Sequence, residues 1–196
     1  MTELTVNVAQ RWLDGFAAAI AEHKDYLSEL DTPIGDGDHG SNMARGLTAV
    51  QEAIDGKDFD NLKDLFKSVA MALISKVGGA SGPLYGTAFL EMAKLGDTDS
   101  DLGDLLDAAF AGIEKRGGTT PGDKTMVDVW TPVVEAVQAG GLKQSDVDAA
   151  VNSTEPMVAR KGRASYLGER SVDHLDPGSV SSGYLFTALI NTGVFA

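Results

Sequence analysis

A chain of 196 residues, 43% of them hydrophobic, is long enough to bury a sizeable core and reads as one domain over residues 1–196. Its net charge of −13 and isoelectric point near 4.5 argue against nucleic acid or an anionic membrane surface as partner. With no cysteine there can be no disulfide, thiolate metal site or Cys nucleophile, so any metal must be held by oxygen or by the three histidines. The start MTELTVNVAQRW lacks a basic region followed by an apolar one, and no apolar stretch could span a bilayer, so a cytoplasmic protein is expected.

In chain order, apolar residues recur at the helical spacing of three and four. Val8, Trp12, Phe16 and Ile20 mark a first helix, and a weaker pattern covers residues 41–55. Leu62, Leu65, Phe66, Val69, Leu73 and Val77 mark a strong third helix, followed by a weaker pattern over 83–95. Leu102, Leu105, Leu106, Ala109 and Ile113 mark a fifth, and Met126, Val129, Trp130, Val133 and Val137 a sixth. Weaker readings at 145–161 and 178–194 complete the series. No segment alternates apolar and polar residues as a half-buried strand would. The expectation is all-α: eight helices in an antiparallel up-and-down barrel or bundle. Pro132 and Pro156 fit poorly inside two of these helices, because proline kinks or ends a helix.

Short connections between antiparallel neighbours bring every second loop to the same end. The loops after helices two, four and six read DGKDFDN, GDTDSD and AGGLKQSD, which are ordinary polar linkers. Those after helices one, three, five and seven read DTPIGDGDHGSN, GGASGP, RGGTTPGDKT and GRASYLGERSVDHLDPGS. These four carry glycines, hydroxyls, clustered carboxylates and the densest basic cluster of the chain. Connectivity therefore predicts one site assembled from four loops at one end.

Within the first loop, G-x-G-x-x-G has the spacing of a dinucleotide-binding turn, but Asp36 and Asp38 would repel a pyrophosphate bound there directly. Asp31, Asp36 and Asp38, beside His39 and Asn42 on a glycine-rich turn, instead suit a hard cation that phosphate oxygens can share. An EF-hand is excluded, because Leu47 stands where a bidentate Glu would be needed. Mg2+ suits a site with few carboxylates. GGASGP offers backbone amides, the Ser81 hydroxyl and Pro83 in a helix's first turn, which fits an anion pocket and equally a plain helix–helix turn. GGTTPGDKT nearly matches a Walker A loop, but Asp123 intrudes before Lys124 and a helix precedes it where a strand should stand, so that reading fails. Arg160, Lys161, Arg163 and Arg170 read either as phosphate-stabilising guanidinium groups or as cations at a helix C-terminus. His23 reads as an exposed helix residue and His174 as a turn residue.

Together, LDTPIGDGDHGSNMARG, KVGGASGPLYGTAF, PGDKTMVDVW and ARKGRASYLGERS with HLDPG closely resemble the nucleotide-binding L subunit of dihydroxyacetone kinases, over almost the whole chain. The resemblance implies an eight-helix antiparallel barrel with ADP (or ATP) and two Mg2+ ions at one end. It implies Asp31, Asp36 and Asp38 as metal ligands. His39, Gly40, Ser41, Asn42, Ala80 and Ser81 would contact phosphates and nucleoside, and Gly117, Met126, Arg163, Asp176, Pro177 and Gly178 would complete the site, with Arg163 in the catalytic role. It further implies a partner K subunit that holds dihydroxyacetone and a phosphotransferase-system M subunit that recharges retained ADP. One departure is Asp173, where the resemblance leads to the expectation of glycine. Two alternatives stand beside this reading: a kinase subunit for another substrate, and a nucleotide sensor that binds a transcription regulator.

Overall fold

The computed structural model describes residues 2–196. Among them are eight α-helices: α1 Val6–Asp31, α2 His39–Ile54, α3 Leu62–Lys76, α4 Ser81–Leu95, α5 Leu102–Gly117, α6 Val127–Gln138, α7 Gln144–Asn152 and α8 Pro177–Asn191. A 3-10 helix, Arg163–Ser171, lies between α7 and α8. No strand forms among the described residues; one isolated antiparallel bridge, Glu3 with Asp101, ties the N-terminal segment to the start of α5. No helix is long and apolar enough to cross a membrane.

Helix starts are set by short polar side chains that take up backbone N–H groups the first turn leaves free. Thr5 accepts from the Val8 N–H at 3.3 Å, Asn61 from Asp64 at 2.8 Å and Asp101 from Gly103 at 3.0 Å. Helix α5 stops at Gly118, whose left-handed backbone (φ 57°) turns the chain away. Each helix packs on its neighbours in sequence, and α8 packs on α1, which closes the ring. The antiparallel barrel read from periodicity is therefore the observed one.

Two proline expectations resolve differently. Helix α6 runs through Pro132, forfeiting one backbone bond near its start. Helix α7 ends at Asn152, well short of residue 161, and Pro156 lies in the turn that follows. The second half of the segment read as a helix to 161 is thus loop, and Arg160, Lys161 and Arg163 do not sit on the C-terminus of α7.

The core is one contiguous cluster whose largest members, Trp12, Trp130, Tyr85, Phe16, Phe66 and Phe89, are fully buried. Burying each such side chain stabilises the fold by about 1.5–3 kcal/mol. Their rings meet at tilted or edge angles, Trp130 and Phe186 at 4.9 Å between centroids. The two indole N–H groups are satisfied inside the barrel, Trp12 donating to the Leu185 carbonyl at 2.8 Å and Trp130 to Ser182 Oγ at 3.1 Å.

Candidate functional site

In an up-and-down ring, α1, α3, α5 and α7 end where α2, α4, α6 and α8 begin. The positive ends of four helix dipoles therefore face the end of the barrel that carries the acidic loop, a setting that favours anions beside a cation. The four loops are stitched together there, the one before α4 through Ser81 Oγ, 3.2 Å from His39 Nδ1. Arg163 reaches the first loop, Ser179 Oγ donates to the Thr125 carbonyl at 2.8 Å, and the Arg160 N–H donates to the Asp123 carbonyl at 3.0 Å.

Asp31 closes α1, while Asp36 and Asp38 follow on a turn that Gly37 makes with φ 73°. One oxygen from each of the three carboxylates lies within 4.8 Å of the others. Gly35 permits this approach, since a Cβ there would overlap Asp31 Oδ1. Asp31 Oδ2 accepts from the backbone N–H groups of Asp38 (3.0 Å) and His39 (3.2 Å), which holds the carboxylate in place. Burial raises the Asp31 carboxyl above its ordinary value, against these two hydrogen bonds, and Asp36 raises it further. At Asp36 partial desolvation works upward, but hydrogen bonding with Asp38 and the Arg163 guanidinium outweigh it and hold the group low. The three converging carboxylates form an all-oxygen donor set that fits Mg2+, and the Arg163 guanidinium pairs with one of them, Asp36.

His39 opens α2 and is buried, 8% exposed, with Nε2 3.0 Å from Ser181 Oγ and Nδ1 3.2 Å from Ser81 Oγ. Burial pushes its pKa down to about 4, so the ring is neutral near pH 7. It does not present a cation to a ligand; it holds the Ser81 hydroxyl. Gly40 has a packing role: a Cβ there would overlap the Lys24 carbonyl of α1. Ser41 is exposed at the start of α2. The Asn42 carbonyl oxygen accepts from Arg45 Nη2 at 2.6 Å, which leaves its amide N–H groups available, and Arg45 Nε also donates to the Lys76 carbonyl at 2.9 Å. Ala80 precedes α4 without any side-chain cap, so the first N–H groups of that helix are free beside Ser81.

On the far side, Gly117 ends α5 against Leu84 and Thr119, and Met126 is buried with its backbone against Gly178. Asp176 caps α8, accepting from the Ser179 N–H at 2.7 Å, and Pro177 fills the first helical position, which needs no N–H. Asp176 is only partly exposed, and desolvation pushes its carboxyl up to about 6 against the bonds from Ser179. Arg163 is exposed and sits beside an open cleft of about 390 Å³ lined by Pro33, Ile34, Gly35, Tyr166 and Leu167.

The near-Walker loop has a different purpose. Lys124 is 2% exposed and donates to the carbonyls of Ser171 (2.7 Å), Met157 (3.0 Å) and Glu155 (3.2 Å). Its ammonium knits the long connection between α7 and α8 and faces no phosphate pocket. Asp173 has φ 65°, the left-handed region where glycine sits without strain, which is the physical content of the departure noted in the sequence. Sequence reasoning passed over Arg45, Tyr85 and Ser181. Tyr85 lies one turn after Ser81 on the same helical face, and Ser181 and Ser182 are polar in an otherwise apolar helix; those were the available signals.

A closed eight-helix barrel with an acidic turn and four helix starts at one end fits the DAK2 domain family. The model of that family matches residues 33–191, and the chain belongs to it. Within the family the chain is similar to two ADP-binding subunits, DhaL, of dihydroxyacetone kinases. It is 52% identical to that of the PEP-dependent kinase 1 of Listeria innocua, over 95% of this chain and 96% of that one. It is 49% identical to that of the PTS-dependent kinase of Lactococcus lactis, over 95% and 97%. The crystal structure of the dihydroxyacetone kinase from C. freundii in complex with AMP-PNP and Mg2+ shares the fold, with a TM-score of 0.78 at 22% identity over 97% of this chain and 34% of that one.

Proposed function

We propose that this chain is the nucleotide-binding subunit of a dihydroxyacetone kinase, in which residues 1–196 form one domain that works in the cytoplasm. It transfers a phosphoryl group from Mg2+-bound nucleotide to dihydroxyacetone held on a K subunit, and keeps ADP for rephosphorylation by a phosphotransferase-system M subunit. The observation that carries this reading is the convergence of Asp31, Asp36 and Asp38 within 4.8 Å, with Arg163 paired to Asp36, beside the starts of α2 and α4. Similarity to ADP-binding subunits over nearly the full length of both chains supports it.

The chemistry assigned to these residues is electrostatic. Asp31, Asp36 and Asp38 would hold Mg2+, two ions in the family's pattern, which neutralises polyphosphate charge. The free N–H groups at the start of α4, the Ser81 hydroxyl and the Asn42 amide bind phosphate oxygens. Arg163 offers a planar pair of donors to the phosphoryl group as its negative charge spreads during transfer. His39 stays neutral and orients Ser81. Phosphoryl transfer asks for this positioning and charge neutralisation more than for covalent participation by the protein.

The test is reconstitution. The purified chain, mixed with candidate K and M subunits, phosphoenolpyruvate and the phosphotransferase carriers, is expected to yield dihydroxyacetone phosphate with only catalytic amounts of ADP. Product formed from ATP without the M subunit would favour a direct ATP-dependent kinase, and no product with any K subunit would sink the assignment.

A further inference from the structure

A line of hydrogen bonds crosses the barrel from α6 to the site, and its inner end sets its direction as far as Ser181. The indole of Trp130 can only donate, so Ser182 Oγ, 3.1 Å away, must accept from it. Ser182 then has one proton to give, and its other side-chain partner is the Tyr85 hydroxyl at 2.9 Å. Were Tyr85 to donate to Ser182 instead, the buried serine proton would be left without an acceptor, a costly arrangement inside a core. Tyr85, accepting from Ser182, gives its own proton to Ser181 Oγ at 2.8 Å; the Gly178 carbonyl at 3.5 Å is too distant to compete.

Ser181 can next donate to His39 Nε2 at 3.0 Å or to the Gly178 carbonyl at 3.1 Å. In the second arrangement Nε2–H donates to Ser181, and Nδ1 must accept from Ser81. The Ser81 lone pairs would then face the pocket at the start of α4, where an anionic oxygen is expected. In the first arrangement Ser181 donates to Nε2, Nδ1–H donates to Ser81 Oγ, and the Ser81 proton is free for the ligand. The donor-only indole thus sets the direction as far as Ser181, which keeps a proton to give, and an anion in the pocket selects the first arrangement there.

We propose that Trp130, Ser182, Tyr85 and Ser181 are positioning residues whose directed hydrogen bonds hold His39 in its Nδ1–H tautomer and so make the Ser81 hydroxyl a donor to a phosphate oxygen. The inference rests on the nucleotide reading above for the identity of that phosphate. Neither Trp130 nor Ser182 touches the ligand; both act through His39.

Histidine ring 15N spectra of the full chain, alone and with Mg2+–ADP, test it directly. His39 is expected as the Nδ1–H tautomer in the loaded protein. Tyr85→Phe, which keeps the ring but removes the relay, is expected to shift His39 toward Nε2–H and to weaken ADP binding about tenfold, the scale of one hydrogen bond to a charged group. Ser182→Ala gives a second reading should Tyr85→Phe fail to fold, and Ser182→Thr, which retains the hydroxyl, is expected to restore the parent spectrum. An Nε2–H tautomer in the loaded parent protein overturns the proposal, as does a folded relay variant with unchanged tautomer and affinity. If His39 is Nδ1–H but no nucleotide binds, while inorganic phosphate still protects Ser81, the relay stands and the nucleotide reading falls.

Discussion

Arg163 Nη1 donates to Asp36 Oδ2 at 2.7 Å, joining the 3-10 helix after α7 to the acidic turn after α1, more than a hundred residues apart in sequence. The contact places the positive group proposed for catalysis on one of the three carboxylates proposed for metal binding. Guanidinium and cation would thus address the same carboxylate.

Replacing Arg163 separates these two roles. Arg163→Ala should tighten Mg2+ binding to the nucleotide-free chain, by at most about fivefold, because an exposed ion pair is worth little. Arg163→Lys should lower transfer by about 10- to 100-fold, because a point-charge ammonium cannot reproduce the planar fork. Calorimetric Mg2+ titration and coupled assays check the two effects. Unchanged transfer in the lysine variant would leave Arg163 as a loop tether alone.

Asp36→Asn should abolish transfer while leaving the helices intact. The residue is exposed on a turn and contributes nothing to the core. Loss of activity with a parent-like circular dichroism spectrum is expected; near-parent turnover would remove the turn from the mechanism.

Ligand removal should be visible as a loss of stability. The purified chain is expected to carry ADP and Mg2+, since a ligand that binds only the folded state stabilises it by about 4 kcal/mol at a thousandfold excess over Kd. Without metal, Asp31, Asp36 and Asp38 crowd like charge against a single arginine. Melting curves with and without EDTA, alongside chromatography of acid-released nucleotide, measure this. No recovered nucleotide, together with a melting temperature indifferent to EDTA and to added Mg2+–ADP, would count against retained ADP.

Lys124 should matter to folding far more than its exposed neighbours do. Lys124→Met leaves three carbonyls without their shared donor and is expected to cost about 2 kcal/mol in urea unfolding, whereas Lys161→Met should stay within about 0.5 kcal/mol. Equal effects would mean that the buried ammonium is not what holds the α7–α8 connection.

Two groups near the site give stability opposite pH dependences. His39 sits at about 4 against an ordinary 6.5, so the folded chain binds fewer protons than the unfolded chain between those values. Its contribution is full above pH 6.5 and is lost as pH falls toward 4. Asp176 sits at about 6 against 3.8, so the folded chain binds more protons there; its contribution is full below pH 3.8 and is lost as pH rises through 6. Asp176→Asn removes only the second. The stability of that variant relative to the parent should therefore rise by about 2 kcal/mol from pH 4 to pH 7, read from urea unfolding. A difference independent of pH would put the Asp176 carboxyl in an ordinary environment.

The sequence by itself determined the helices whose apolar faces repeat at three and four, from Trp12 and Phe16 in α1 to Trp130 and Val133 in α6, because local periodicity and core burial select the same residues. It also determined that four loops share one end, since short connections between antiparallel neighbours leave no other arrangement, and that Asp31, Asp36 and Asp38 lie close together, since they are close in the chain. What only the tertiary structure decided depends on partners far apart in sequence. The neutral ring of His39 depends on its burial between the serines of α4 and α8, and the three carbonyls that surround the Lys124 ammonium come from the distant connection between α7 and α8. The end of α7 at Asn152 was signalled only by Pro156, and the 3-10 helix that carries Arg163 to Asp36 was invisible, because it has no apolar period of its own. A side chain's charge state and direction follow from its surroundings, and those surroundings form only when the barrel closes.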